Sequence, residues 1–267
     1  MNLETFANTP GAKAMDLRGT RAIVVGGSSG IGLAVAGLLL AQGADVRMIG
    51  RDPEKLDRAV DSLNPWASAV SGYSLDINDV HSTREFLSIT EQEWGSADFL
   101  VNSAGISLRN QPEDISDENW ERVIQTNLSS QFRFTRDAFP ILRGHTRPAR
   151  VVMVGSMTSI FGASIGAAYA ASKGGVVQLA RSLAAAWAAD NILVNSVLPG
   201  WVQTPLTQAG RLSHPEFYRR VDDRIPLGRW AHPDEIADVI LFLCSGLSRY
   251  ITGSALTVDG GFSGVIF

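Results

Sequence analysis

Short apolar runs alternate along this chain with longer segments in which apolar residues recur every three or four positions. The short runs predict buried strands at residues 21–25, 45–49, 69–75, 97–101, 150–154, 192–198 and 255–258. The longer segments predict helices at residues 33–42, 54–63, 80–94, 117–142, 166–189 and 233–246. Strands that alternate with helices indicate right-handed βαβ units. The sequence therefore predicts an α/β fold, a doubly wound parallel sheet of about seven strands flanked by helices.

The same pattern predicts one domain with short flanking segments. A chain of 267 residues, 45% of them hydrophobic, can bury one large core. The domain is expected to span residues 17–262, preceded by a polar, flexible extension at residues 1–16 and followed by a tail at residues 263–267. Residues 203–229 lack periodicity and follow the carboxyl end of the sixth strand, where open α/β sheets bind ligands. We expect a substrate lid there, with one or two short helices.

Composition argues against several classes of partner. The net charge is −4 and no basic run is present, which argues against a nucleic-acid partner. No apolar run reaches the ~18 residues of a membrane span. The single cysteine, Cys244, lies in an apolar helical segment and is expected to be a buried small hydrophobe. One cysteine fits a reducing compartment, so a soluble cytoplasmic protein is predicted. The four histidines show no ligand spacing, so no catalytic metal is expected.

A glycine-rich turn joins the first predicted strand to the first helix. It reads Gly26-Gly-Ser-Ser-Gly30-Ile-Gly32. Glycines let a backbone approach phosphate closely, and the free N–H groups and dipole of a helix N-terminus favour an anion. The turn therefore predicts a nucleotide site.

The end of the second strand bears on which nucleotide binds. An acid there would bind the ribose hydroxyls of NAD, whereas a nearby arginine accommodates the 2′-phosphate of NADP. The chain has Gly50 followed by Arg51, which favours NADP(H) and leaves NAD(H) as the alternative. Asp52 precedes Pro53 and is expected to cap the next helix. The competing interpretation is that Arg51 is a solvated charge paired with Asp52 or Glu54.

Three residues predict proton-transfer chemistry. Ser156 follows the fifth strand, and Tyr169 and Lys173 lie four positions apart on the next helix, hence on one face. An ammonium beside a phenol lowers the phenol pKa, and such a tyrosine can act as general acid or base. A surface Tyr and Lys is the plainer interpretation of this pair alone. Asn127 is also unusual, because asparagine is a poor residue for the interior of a helix.

The order of these motifs resembles the short-chain dehydrogenase/reductase family over about residues 17–262. Each motif is common by itself, but their joint order and spacing are specific. The matching elements are Gly26-x3-Gly30-Ile31-Gly32, Asp76-Ile77, Asn102-x-Ala104-Gly105, Asn127, Ser156, Tyr169-x3-Lys173, Pro199-Gly200 and Thr204. Val25 and Ser103 depart from the family pattern, where Thr and a second Asn are usual. Both changes look structural and leave the Ser, Tyr and Lys intact.

The resemblance implies a Rossmann-type domain and a role for each matching residue. Tyr169 would be the catalytic acid/base, Ser156 would orient the substrate oxygen, Lys173 would hold the nicotinamide ribose, and Asn127 would anchor a water. Contacts to the cofactor are implied for Gly26, Ser28, Ser29, Gly30, Ile31, Gly32, Arg51, Asp76, Ile77, Asn102, Ala104, Gly105, Tyr169, Lys173, Pro199, Gly200, Val202 and Thr204.

Substrate contacts are expected from Ser156, Thr158, Phe161, Gly162, Trp201 and Leu206. Phe161 and Trp201 favour an apolar or ring-bearing substrate, although a sugar also stacks on tryptophan and both residues can equally serve packing. The expected function is interconversion of a secondary alcohol and a ketone with NADP(H) favoured. Alternatives are a sugar or polyol (gluconate-like) dehydrogenase, a β-ketoacyl reductase, or a non-catalytic NADP(H)-binding sensor. Family members of this kind are commonly tetramers, so a homotetramer or homodimer acting on a small molecule is implied.

Overall fold

The computed structural model describes residues 15–144, 147–213 and 215–264. Seven strands form one sheet: β1 Arg21–Val25, β2 Asp45–Gly50, β3 Val70–Ser74, β4 Phe99–Asn102, β5 Ala149–Val154, β6 Ile192–Pro199 and β7 Ala255–Val258. The helices are α1 Gly30–Ala41, α2 Pro53–Asp61, α3 Val80–Trp94, α4 Asp117–Ile124, α5 Ser130–Asp137, α6 Phe139–Leu142, α7 Ala167–Trp187, α8 Pro205–Ser213, α9 Pro215–Asp222 and α10 Pro233–Cys244. The expected flexible extension at residues 1–16 and the tail lie almost wholly outside the described residues.

All neighbouring strands of the sheet are parallel, in the order β3-β2-β1-β4-β5-β6-β7. The predicted doubly wound α/β fold is therefore confirmed. One apolar core, which includes Val35 of α1 and Ile240 of α10, covers one face of the sheet. A second core, which includes Phe86 of α3 and Val176 of α7, covers the other face. Because both faces are buried, the central strands are continuously apolar rather than alternating.

The register of the sheet brings three strand ends together. Val25 at the end of β1 lies opposite Ile49 of β2 and Asn102 of β4. The strand order reverses between β1 and β4, which is where doubly wound sheets open a crevice for ligands. Gly26 continues directly from β1, so the glycine-rich turn lies at this crevice.

Residues 117–142 are helical over the range that the sequence predicts, but the helix is interrupted. The segment divides into α4, one wide π-helical turn at Gln125–Ser129, α5, and the short α6 that contains Pro140. Asn127 lies within the wide turn and is fully buried. Single π turns inside α-helices are frequent at functional sites. The sequence did not predict the wide turn, because that turn accompanies a tertiary contact of Asn127, described below.

Residues 203–229 contain two short helices, α8 and α9, as the sequence predicts, and their role as a substrate lid stays a prediction. A third, small apolar cluster holds this region to the body: Tyr218, Val221, Ile225 and Trp230, with Trp201 and Phe262 packed against it. Elsewhere, Asp52 caps α2 by accepting a hydrogen bond from the Lys55 N–H, and Cys244 is buried, both as predicted. None of the helices in the described part of the chain is long and apolar enough to cross a bilayer.

Candidate active site

The glycine-rich turn is packed too closely to accept side chains. Gly26 has φ +82°, and a Cβ there would lie 2.6 Å from the backbone nitrogen of Ala104. A Cβ on Gly32 would lie 2.2 Å from the carbonyl oxygen of Gly26. The N-cap of α1, Ser29, makes no capping hydrogen bond with its side chain, and the first turn holds no acidic residue. The N–H groups of this turn are therefore suited to an anion such as a pyrophosphate.

A groove of about 420 Å³ runs from this turn across the strand ends. It is lined by most of the residues that the sequence predicts for the cofactor: Gly26, Ser28, Ser29, Gly30, Ile31, Arg51, Asp76, Ile77, Ala104, Gly105, Tyr169, Lys173, Pro199, Gly200, Val202 and Thr204. The groove has the shape and donor set that a dinucleotide requires, with closely approaching glycines and an uncapped helix terminus at one end.

Two residues predicted to contact the cofactor do not line the groove. Asn102 is fully buried, and its Nδ2 donates to Thr135 Oγ1 at 2.8 Å, so its amide braces the sheet beneath the groove. Gly32 packs against the turn instead of facing the groove. Leu206, predicted for the substrate, lines the groove instead of the second pocket described below. All three residues therefore lie at or next to the predicted site, and their contacts with a cofactor or substrate stay predictions.

The end of the groove beside β2 carries positive charge. Gly50 at the end of β2 offers no acidic side chain to bind ribose hydroxyls, and a Cβ there would make a tight contact of 3.1 Å with Ser28 Cβ. Within the described residues Arg51 forms no ion pair, because Asp52 caps α2 and Glu54 lies 3.7 Å from Arg58. Lys55 lines the same end of the groove. The pairing of Arg51 with Asp52 or Glu54 is therefore absent from the described residues, and the Arg51 side chain is exposed, as that interpretation also expects.

Ser156, Tyr169 and Lys173 meet at the opposite end of the groove. Ser156 caps the turn after β5: its hydroxyl accepts from the Thr158 N–H, and it lowers the pKa of the neighbouring Tyr169 phenol. Tyr169 and Lys173 lie one turn apart on α7, as their spacing predicts. Lys173 is buried, with its Nζ 5.8 Å from the centre of the Tyr169 ring.

The pKa values differ from the simple expectation for this pair. Burial raises the pKa of Tyr169, and the hydrogen bond from Ser156 and the charge of Arg109 oppose that rise without cancelling it. Burial also lowers the pKa of Lys173 to about 8. The lysine does not lower the tyrosine pKa here, because burial takes the pKa of Lys173 below that of the phenol, so the lysine has lost its charge by the pH at which Tyr169 ionises. The expected tuning of Tyr169 by Lys173 is therefore not seen in this structure.

Asn127 lies directly behind the groove. Its Oδ1 accepts from the Ile106 N–H at 2.8 Å, and its Nδ2 donates to the Ile106 carbonyl at 2.9 Å and to Ser172 Oγ at 3.0 Å. A Cβ on Gly105 would lie 3.4 Å from both Asn127 Oδ1 and Lys173 Nζ. The amide thus ties the chain after β4 to α7 and stands close to the lysine.

A second pocket, also about 420 Å³, opens on the other side of Tyr169. The predicted Thr158, Phe161, Gly162 and Trp201 line it. Trp201 also packs edge-on against Tyr218, with ring centres 5.4 Å apart. It therefore lines the pocket and also packs against the small apolar cluster around Tyr218. Sequence reasoning missed three arginines in this pocket: Arg109, Arg220 and Arg224. The only available signal was that Arg220 and Arg224 are four residues apart.

Comparison with known proteins agrees with this geometry. The family model described as enoyl-(acyl carrier protein) reductase matches residues 25–263. A tropinone reductase homologue of Arabidopsis thaliana is 36% identical and covers 94% of this chain and 95% of its own. A 3-oxoacyl-[acyl-carrier-protein] reductase of Thermotoga maritima is 36% identical, over 92% of this chain and 99% of its own.

Solved structures share the fold over nearly the whole chain. One from Beutenbergia cavernae, whose NAD(P)-dependent gluconate 5-dehydrogenase activity is itself a proposal, holds NADP at low occupancy. It has a TM-score of 0.88 and 33% identity, covering 94% of this chain and all of its own. The chain belongs to the short-chain dehydrogenase/reductase family, whose members are NAD(P)-dependent oxidoreductases.

Proposed function

We propose that this protein interconverts a ketone and a secondary alcohol with NADP(H) as the favoured cofactor. The observation that carries the proposal is the position of Tyr169, which lines both the dinucleotide groove and the second pocket. A substrate in that pocket would place its oxygen on the phenol. A bound nicotinamide would supply the hydride in reduction and accept it in oxidation.

Each polar residue at the junction has a distinct role in this proposal. The Tyr169 hydroxyl donates its proton to the carbonyl oxygen in reduction and takes a proton from the alcohol in oxidation. Ser156, which lowers the pKa of the neighbouring Tyr169 phenol, orients the same substrate oxygen. Lys173 would hold the nicotinamide ribose. Asn127 positions the Ile106 backbone and Ser172 beside the lysine and acts through them.

The preference for NADP(H) rests on the other end of the groove. Arg51 has no ion pair within the described chain, Lys55 lines the same end of the groove, and Gly50 puts no carboxylate at the end of β2. Asp52 also lines the groove, but its carboxylate caps α2 by accepting from the Lys55 N–H. Guanidinium and phosphate pair through two parallel hydrogen bonds. A relative of the same fold carries NADP in its crystal structure, which supports the same choice.

Two narrower activities are named among the relatives. Ketoacyl reductases occur among the sequence relatives, and gluconate dehydrogenases among the structural ones. Both transform a secondary alcohol or ketone, so both fall within the proposed reaction. A non-catalytic nucleotide sensor is disfavoured, because Ser156, Tyr169 and Lys173 are all present and meet at one point.

A spectrophotometric screen tests the proposal. Purified protein is mixed with NADPH or NADH and a panel of ketones, keto sugars, β-ketoesters and keto acids, and loss of the reduced cofactor is followed. We expect turnover with at least one ketone class and a higher kcat/KM with NADPH. Tight NADPH binding with no turnover of any carbonyl compound, and none of any alcohol with NADP⁺, would contradict the proposal and favour the sensor.

A further inference from the structure

Three arginines line the second pocket. They are Arg109, Arg220 and Arg224, and the described residues of its lining include no Asp or Glu. Arg109 comes from the segment after β4, Arg220 from α9, and Arg224 from the turn after α9. Cations from two distant parts of the chain therefore face the same space.

Neighbouring arginines that do not line the pocket differ in their ion pairs from those that do. Arg211 pairs with Asp222 at 2.6 Å, and Arg219 pairs with Glu216 at 3.0 Å, and neither lines the pocket. Arg220 and Arg224, which do line it, form no ion pair in the described part of the chain. The arginines that face away from the pocket have carboxylate partners, and the two on its outer wall do not.

Aromatic rings hold two of the pocket arginines in place. The Arg109 guanidinium lies 5.5 Å from the centre of the Trp201 ring and 5.0 Å from that of Tyr218. The Arg224 guanidinium lies 4.6 Å from the centre of the Phe262 ring. Stacking on a ring leaves the N–H donors at the edge of the guanidinium available to a ligand.

The remaining walls of the pocket are apolar. Met157, Phe161, Ile165, Val221 and Phe262 line it together with the arginines and Tyr169. A ligand that fills this space therefore meets a proton donor, apolar surface and guanidinium groups.

We infer that the substrate is a ketone, or the corresponding secondary alcohol, that carries an anionic group on the same molecule. The inference rests on the proposed function, because that function puts the reacting oxygen on Tyr169. The anion, a carboxylate or a phosphate, binds the arginines, since both match the planar guanidinium fork. The apolar walls favour a hydrocarbon or aromatic body between the two groups.

Matched pairs of substrates separate the anion from the rest of the molecule. Benzoylformate is compared with methyl benzoylformate, levulinate with methyl levulinate, and dihydroxyacetone phosphate with dihydroxyacetone, all with NADPH. We expect the charged member of at least one pair to have a kcat/KM about tenfold or more above that of its neutral partner, as befits a charge-assisted contact. The carboxylate and phosphate pairs distinguish the two sources of the anion.

Variants then test the arginines themselves. In the double variant Arg220→Gln/Arg224→Gln, the ratio of kcat/KM for the charged over the neutral member should fall by about tenfold, chiefly through KM. Arg219→Gln is the matched control, because Arg219 lies on the same helix and outside the pocket. All three arginines are exposed, so the variants should keep the wild-type melting temperature.

The outcomes are distinct. An active enzyme that prefers every neutral partner, or whose charge preference survives in the double variant, overturns the inference and leaves the proposed function intact. An enzyme that binds NADPH but turns over neither member of any pair, nor any other ketone, overturns the proposed function and this inference with it.

Discussion

The dinucleotide groove and the second pocket have the same volume, about 420 Å³, but they are built in different ways. The groove is formed chiefly by backbone: the Gly26–Gly32 turn, the ends of parallel strands and the uncapped start of α1. The pocket is formed by side chains from the segments after β4 and β5, from Trp201, from the end of α9 and from Phe262. The two spaces share Tyr169.

The strand order of the fold therefore determines the groove, whereas individual side chains determine the shape and charge of the pocket. The groove follows from the strand order, because the carboxyl ends of β1 and β4 must diverge where the order reverses. The outer wall of the pocket is held instead by the small cluster around Tyr218 and Trp230. Substitutions in the pocket should therefore change substrate preference while the cofactor remains bound.

The largest effect is expected where the two spaces meet. Tyr169→Phe removes the proton donor but keeps the ring, so turnover should fall by about 10²–10⁴-fold while the Kd for NADPH stays constant. Steady-state rates and a fluorescence titration of NADPH measure the two quantities. Tyr73→Phe, which removes a hydroxyl far from both spaces, is the control. Turnover above a tenth of wild type in Tyr169→Phe would rule out the proposed acid/base.

Gly32→Ala tests whether backbone packing builds the groove. The new Cβ would lie 2.2 Å from the Gly26 carbonyl oxygen, so the turn must move. We expect a loss of about 1–3 kcal/mol of unfolding free energy, the usual cost of overpacking, and weaker NADPH binding. Gly37→Ala on the same helix meets only Leu63 Cδ2 at 3.4 Å and should gain about 0.5–1 kcal/mol. Equal behaviour of the two variants in urea unfolding would disprove the packing argument.

Lys173→Met tests the cost of burying an ammonium in the groove. The folded pKa of Lys173, about 8, lies below its ordinary value of 10.5, so the folded state disfavours the proton. The buried ammonium lowers the unfolding free energy of the wild type by its full amount below the folded pKa. This loss disappears as pH rises from about 8 to about 10.5. The cofactor-free variant should therefore be more stable than wild type by about 1–3 kcal/mol near neutral pH, less as pH rises.

Urea unfolding of both proteins at neutral and alkaline pH measures this difference. If wild type were the more stable at neutral pH, the hydrogen bond to the Val154 carbonyl would outweigh the burial of charge. Loss of turnover in the same variant would agree with the proposed role of Lys173 but would not bear on its pKa.

Arg51→Gln tests the end of the groove that side chains define. The kcat/KM with NADPH should fall by about tenfold, the worth of a charge-assisted contact, while that with NADH is unchanged. Arg58→Gln, on the neighbouring helix and outside the groove, should alter neither. Equal losses with both cofactors would show that Arg51 does not read the 2′-phosphate.

The smallest effect is expected from Thr158→Val in the second pocket. Thr158 Oγ1 is buried and, within the described residues, has no hydrogen-bond partner. Removing this hydroxyl should raise the unfolding free energy by about 0.5–1 kcal/mol and the substrate KM about threefold, with kcat little changed. An unchanged KM would mean that the substrate makes no use of this hydroxyl.

The sequence predicted the fold and the groove well for a physical reason. β1, α3 and β7 have the predicted boundaries, because local apolar patterning decides them. The residues of the groove follow strand ends, and parallel pairing brings strand ends to one edge. Asn102 was misplaced because sequence position gives the strand end but not which way its amide points.

The features that the sequence did not predict depend on tertiary contacts, which local sequence patterns do not reveal. Asn127 widens its helix because its amide binds Ile106, twenty-one positions earlier. The arginines of the second pocket lie 111 and 115 positions apart, counted from Arg109 to Arg220 and Arg224. Only the folded chain brings them to one space, so their shared charge was invisible to a scan along the sequence.

The wide turn at Gln125–Ser129 also determines how the protein should respond to the deletion of one residue. A π turn holds one residue more than an α turn, so this stretch stores a single-residue insertion in one place. A chain one residue shorter here could close an unbroken helix. Its α4 would then rotate by about 100°, because an α-helix advances 3.6 residues per turn. Val123, now fully buried, would leave the core, so a deletion should be tolerated less well here than in an exposed loop.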